Sequence, residues 1–135
     1  MADLAQIETV VFLQSVDLFS FCKAEEVLRI SSIAKERRFE KDEQIFKEGD
    51  EADLLYCVVQ GIVSLDSPEG DKWMSTPLTT FGVKEILSGR LRTETATATT
   101  EALVLGIEAE DFFDLLSHNI EIVKALFRQL LRESK

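Results

Sequence analysis

IFKEGDEADLLYCVVQGIVSL, residues 45–65, is a short apolar segment, a polar turn carrying Gly49, an apolar run over 54–59, and a second glycine, Gly61. The two glycines mark sharp corners, where the backbone turns in a way that a side chain would obstruct. Working outward, the segments 37–40, 43–50, 72–82, 94–100 and 102–108 are short, rich in β-branched or aromatic residues, and punctuated by Gly, Pro or Asp. Six or more short strands in about seventy residues predict an all-β barrel or sandwich. Asp66-Ser-Pro-Glu-Gly70-Asp71 reads as a hairpin loop, its Pro fixing one φ and its Gly taking a positive one, so the pairing is expected to be antiparallel.

Helical periodicity flanks this β region. Val27, Leu28, Ile30 and Ile33 recur at helical spacing within 23–34, with Ser20 upstream as a cap. Residues 108–117 open on acids suited to a helix N-terminus. Asn119 is then placed to cap a final helix whose stripe is Ile120, Val123, Phe127 and Leu130, widened by Leu126 and Leu131. The expected architecture is mainly β with flanking helices: one N-terminal helix, a β-roll, and two C-terminal helices. The 135 residues, 45% of them hydrophobic, suit a single domain over 1–135.

Charge narrows the partners. With 25 acids against 15 bases the net charge is −10, which argues against an unaided nucleic-acid or anionic-membrane partner. The stretch 79–101 is the exception, with three acids and three bases, and its bases Lys84, Arg90 and Arg92 sit within nine positions. The first nineteen residues lack a basic leader, and Asp3, Glu8 and Asp17 interrupt them, so no secretory signal is expected. No apolar run approaches the ~20 residues of a membrane-spanning helix. The chain reads as soluble and cytoplasmic, with Cys22 and Cys57 as reduced, buried small hydrophobes.

One irregular stretch interrupts the strands: TTFGVKEILSGRLRTETATATT, residues 79–100. Residues 83–88 suit a short helix opened by Gly82 and closed by Gly89. With Arg90 and Arg92 following, the stretch is a candidate anion site, because helix-start amides carry partial positive charge and an Arg offers two parallel donors. No nucleophile motif, Walker-type loop or Cys-x-x-Cys is present, and with a single His no metal cluster is expected, so no enzyme is predicted. His118 reads as an exposed or C-capping residue, Trp73 as packing within a strand, Ser64 and the threonines of 93–100 as a polar strand face, and the alternating charges of 35–43 as a solvated face.

In Ile45-x-x-Glu48-Gly49-Asp50, followed by Ala52, the apolar run and Gly61, the residues resemble the strand-turn-strand signature of the cyclic nucleotide-binding domain family. That family is the jelly-roll (double-stranded β-helix) module of cyclic-nucleotide-gated channels, kinase regulatory subunits and catabolite-activator-type regulators. Phe46 and Cys57 are mild departures, and the resemblance covers residues 16–131. It implies that 79–101 is the family's phosphate-binding cassette, in a degenerate form. Phe81 and Gly82 fit, Ile86 and Leu87 fit the cassette helix, and Arg92 and Thr93 fit the phosphate-binding Arg and its successor. Val83 stands where the ribose-binding Glu belongs, Glu85 where a small residue belongs, Leu91 where Pro often precedes the Arg, and Glu94 where an Ala belongs.

The resemblance implies a regulatory, signal-transducing module that binds cAMP or cGMP as a ligand rather than a cofactor, through Phe81, Gly82, Val83, Ile86, Leu87, Arg92 and Thr93. Arg92 is the expected anchor, since an Arg keeps its charge when desolvated and its fork matches two phosphate oxygens. Losing the carboxylate at Val83 removes a charge-assisted bond worth roughly 1.5–3 kcal/mol, or one to two orders in affinity. Glu85 sits on a different face of the helical turn and is not expected to replace it. Glu94 is expected to share the face of Arg92 and to pair with its guanidinium when no ligand is bound. The alternatives are a degenerate, non-binding member acting as a dimerisation or scaffold module, and a site for another small anion. No helix-turn-helix follows the final helix within these residues, so a homodimer or an output domain is expected as partner, and not nucleic acid.

Overall fold

A computed structural model describes residues 6–133. In chain order the elements are α1 (Gln6–Gln14), α2 (Ala24–Ile33), β1 (Lys35–Phe39), β2 (Gln44–Phe46), β3 (Leu54–Gln60), β4 (Val63–Asp66), β5 (Lys72–Ser75), β6 (Thr80–Phe81), α3 (Val83–Ser88), β7 (Thr95–Ala98), β8 (Ala102–Glu108), α4 (Ala109–Ser117) and α5 (Ile120–Glu133). The strands form two four-stranded antiparallel sheets, ordered β1-β8-β3-β6 and β2-β7-β4-β5. This is a mainly β jelly roll with flanking helices, as the short punctuated strands predict. Among the described residues, no helix is long and apolar enough to cross a membrane.

The apolar run of β3 shows no polar alternation because its sheet is covered on both faces. Leu54, Tyr56 and Val58 face the roll, where they meet Phe46, Val63, Leu65, Phe81, Ala96 and Val104. Leu55 and Cys57 point the other way, into a cluster with Leu105, Ile107 and the helices. Period-two geometry thus sends alternate residues of one apolar strand to two different cores. Gly61 earns its position: its φ is +91°, and a Cβ there would lie 2.4 Å from the Glu101 carbonyl oxygen. The Asp66–Asp71 turn closes a β4–β5 hairpin in which Asp66 pairs with Lys72, and Gly70 has φ +95°.

The structure departs from expectation in its helices. Two helices precede the sheets instead of one. Ser20 does not cap α2: Lys23 precedes that helix with no side-chain cap, and the Ser20 hydroxyl donates to the Asp17 carbonyl. Asn119 does precede α5, but its amide donates to Glu26 on α2 while its Oδ1 accepts from the Cys22 thiol, tying the last helix to the first pair. The stripe expected to bury α5 is covered only in part: Leu126 is buried and Val123 and Leu130 are half-buried, but Ile120, Phe127 and Leu131 are exposed, and Ile122 and Ala125, outside that stripe, are buried. Ser64, expected on a polar face, is buried with its hydroxyl on Asp66. His118 is exposed and forms the C-cap of α4, as predicted.

Candidate functional site

The site is built where the two glycine-marked stretches meet. Gly82 turns the chain out of β6 with φ +84°, α3 makes its short run, and Gly89 ends it with φ +68° and its N–H on the Glu85 carbonyl. The segment after Gly89 then docks on the turn at 47–50: the Arg92 N–H donates to the Asp50 carbonyl at 2.8 Å, and the Gly49 N–H donates to the Arg92 carbonyl at 2.9 Å. The turn itself is held by the Lys47 N–H donating to the Asp50 carboxylate. The signature that specifies the roll therefore also fixes the backbone of Arg92.

The Arg92 side chain is directed inward and is 2% exposed. Nη1 donates to the Gly82 carbonyl at 2.7 Å and to Glu85 Oε1 at 3.3 Å, and Nη2 donates to the Leu54 carbonyl. The guanidinium carbon lies 4.0 Å from the centre of the Phe46 ring, a cation–π contact. Its Nε–H, though buried, has no partner among the described residues. The left-handed backbone at Gly82 favours glycine, and a Cβ there would sit tightly, 3.1 Å from Arg92 Nη1.

Glu85 completes this centre. It too is 2% exposed, and its second carboxylate oxygen accepts from the Thr93 hydroxyl at 2.6 Å. Arg92 and Thr93 thus present two donors to the two oxygens of one anion, and that anion is a side chain of α3. The expected pairing of Arg92 with Glu94 is not formed. Glu94 instead accepts from Trp73 Nε1 at 3.0 Å and lies 3.3 Å from Lys84 Nζ. The physical reason is direction: Arg92 lies in the segment before β7 begins at Thr95, so the strand alternation that would align the two residues does not apply.

Of the other residues expected at the site, Phe81 stacks on Tyr56 with centroids 5.1 Å apart, and Val83 and Ile86 are buried in the helix-side core with Leu87 packed against it. Only Gly82, Arg92 and Thr93 of the predicted set converge on the polar centre. Phe46 and Glu85 join them. Both are visible in the sequence as departures from the family's pattern, Phe46 mildly so in the strand-turn-strand signature and Glu85 as the acid standing where a small residue belongs, but neither departure points to the polar centre. Burial pushes the Tyr56 phenol above its ordinary range, and Asp53 adds to this against the opposing pull of Arg92 and Arg37.

Beside the centre, a cavity of about 30 Å³ lies between β5, β6 and α5, walled by Trp73, Phe81, Gly82, Val83 and Gln129 among others. It adjoins an open cleft of about 620 Å³ that shares Trp73, Thr80, Lys84, Glu94 and Gln129. Trp73, expected only to pack, is 39% exposed and forms part of this wall. Gln129 of α5 donates to the Thr80 hydroxyl at 3.4 Å, and its Oε1 is buried without a partner among the described residues.

The family model for the cyclic nucleotide-binding domain matches residues 36–119. The cGMP-dependent 3',5'-cGMP phosphodiesterase A of Dictyostelium discoideum is 25% identical over 122 residues, which are 90% of this chain and 14% of that protein. Among solved structures, a triple mutant of the regulatory subunit of a cAMP-independent protein kinase A from Trypanosoma brucei, bound to cAMP in the A site, aligns with a TM-score of 0.81 at 19% identity. That alignment covers 92% of this chain and 46% of that one. The Thermus thermophilus catabolite activator protein aligns with a TM-score of 0.77 at 26% identity over 87% of this chain and 57% of that one. The chain therefore spans less than a sixth of the phosphodiesterase and under half of the trypanosomal subunit.

Proposed function

Because the chain belongs to the cyclic nucleotide-binding domain family, we propose that it is a regulatory module that senses cAMP or cGMP, with Arg92 and Thr93 as the phosphate anchor. One observation carries this reading. The Arg92 guanidinium and the Thr93 hydroxyl converge on the two oxygens of a single carboxylate, the arrangement that would grip two oxygens of a cyclic phosphate. An open cleft lined by Lys84 and Glu94 of the cassette is of a size that ligand pockets take, with the free acceptor of Gln129 at its wall; Arg92, Thr93 and Glu85 lie behind that wall. α5 is then the element that moves to cover the base. The module has no catalytic role in this reading. It acts in the cytoplasm, and it controls an output domain or a second copy of itself.

Titration calorimetry of the chain with cAMP and with cGMP tests the proposal. Heat at micromolar to millimolar ligand is expected, and it should disappear in Arg92→Ala. No heat at millimolar ligand, or unchanged affinity in Arg92→Ala, would sink it.

Glu85 favours a second reading, a member that binds no nucleotide and serves as a dimerisation or scaffold module. The trypanosomal form bound to cAMP carries Ala for a Glu, Arg for a Thr seven positions on and Ala for the adjoining Val, and Glu85, Arg92 and Thr93 stand at that same spacing here. Sedimentation separates the two readings, because the scaffold reading requires association that neither nucleotide alters.

A further inference from the structure

We infer that Glu85 is an internal counter-anion that occupies the anion position of the cassette, so that a phosphate ligand enters only by displacing it. This rests on reading Arg92 and Thr93 as the phosphate anchor.

Glu85 is anchored at both oxygens, one on Arg92 and one on Thr93, and is shut away from solvent with its partner. A carboxylate has two acceptor oxygens on one carbon and a phosphate presents two on one phosphorus, so the same two donors serve either. A buried Arg needs a negative partner, and Glu85 supplies it from within the chain. Its fit is incomplete, which is what a replaceable ligand requires. The ion pair is a single contact of 3.3 Å in place of a two-pronged fork, and the Arg92 Nε–H is left without a partner among the described residues. The other acidic residue near the cassette is not in competition for this position, since Glu94 is held by Lys84 and Trp73.

Displacement lowers the apparent affinity of any incoming phosphate by the fraction of time that Glu85 is out of the way. Removing the carboxylate therefore converts a closed anion site into an open one. The test compares the wild-type chain, Glu85→Ala, Glu85→Gln and the double variant Glu85→Ala/Arg92→Ala. Glu85→Gln retains the shape if Glu85→Ala does not fold. Thermal unfolding is followed with and without inorganic phosphate at matched ionic strength, and each protein is titrated calorimetrically with cAMP.

The expected result is that phosphate raises the midpoint of the single Glu85 variants by several degrees, on the order expected for a bound ligand in a domain of this size, while leaving wild type and the double variant unmoved. The single variants should also bind cAMP at least about tenfold more tightly than wild type. Equal phosphate responses in wild type and variants, or cAMP affinity unchanged by Glu85→Ala, would overturn the inference while leaving the nucleotide-sensing reading intact. Phosphate rescue of the variants without any cAMP binding supports the internal counter-anion and defeats the cyclic-nucleotide reading.

Discussion

Arg92 and Glu85 form an ion pair removed from water, and the energetics of such pairs are asymmetric. Desolvating both charges offsets much of their attraction, so the pair adds little net stability, yet removing one partner strands the other. Arg92→Met, which keeps an apolar stem but removes the guanidinium and its cation–π contact with Phe46, should therefore destabilise the fold by about 3–5 kcal/mol in chemical denaturation. Adding Glu85→Leu should recover most of that loss. A double variant no more stable than Arg92→Met alone would mean that the pair is not what Arg92 answers to. Gly82 and Gly89 are legible in the sequence because each meets a local demand, a backbone position with positive φ, whereas Arg92 is legible through the resemblance of 79–101 to the family's cassette. The Glu85 partnership was not legible. It depends on the path by which the segment after Gly89 returns beneath α3, and that path is set by hydrogen bonds to a turn some forty residues away in the chain.

At the scale of elements, α5 carries two neighbouring lines of side chains, one buried along most of its length and the other half-buried at Val123 and Leu130 but exposed at Ile120 and Phe127. Ile122, Ala125, Leu126 and Gln129 follow one helical line, and Ile120, Val123, Phe127 and Leu130 follow another. The second is the more apolar, which is why periodicity selects it. The structure turns the first toward the helix-side core, where Ile122, Ala125 and Leu126 join the cluster of α1, α2 and α4, and Asn119, bonded to Glu26 on α2, holds the start of α5 at that orientation. Ile122→Ala should cost about 2–5 kcal/mol, the ordinary range for a core truncation. Phe127→Ser, at a side chain 62% exposed, should move stability by no more than about 0.5 kcal/mol. Urea denaturation of both variants decides between the stripes, and the reverse order would mean that the Phe127 face is the packed one. The strands were read more accurately than this helix. Several are bounded by residues that break pairing, such as Gly61 or the Asp66–Asp71 turn, although the single strand expected over 72–82 is divided into β5 and β6; nothing local to a helix fixes its rotation about its own axis.

For the whole molecule, the net charge of −10 is set aside locally: the neutral stretch of 79–101 supplies Arg92, and the same stretch supplies the acid that neutralises it. Stability against alkali depends instead on groups that the roll keeps protonated. Burial pushes the Cys57 thiol from 9.0 up to about 12. It pushes the half-buried Cys22 thiol up to about 11, with Glu26 and Glu121 adding to the effect. The Tyr56 phenol is raised in the same direction. Each group holds its proton more tightly folded than unfolded. Its contribution to stability is therefore complete below pH 9 and is lost as pH climbs through the folded-state values. Between pH 8 and 11 the unfolding free energy should fall by on the order of a few kcal/mol, mostly through Cys57, since solvent screening discounts the share of Cys22. The growing negative charge of the chain pushes the same way, so the slope must be measured against a control. Cys57→Ala starts lower because of the cavity it leaves, but it should lose less stability than wild type over the same interval when urea midpoints are compared at each pH. Parallel slopes for the two proteins would show that Cys57 releases its proton as readily in the fold as out of it, contrary to its complete burial between β8 and the helices.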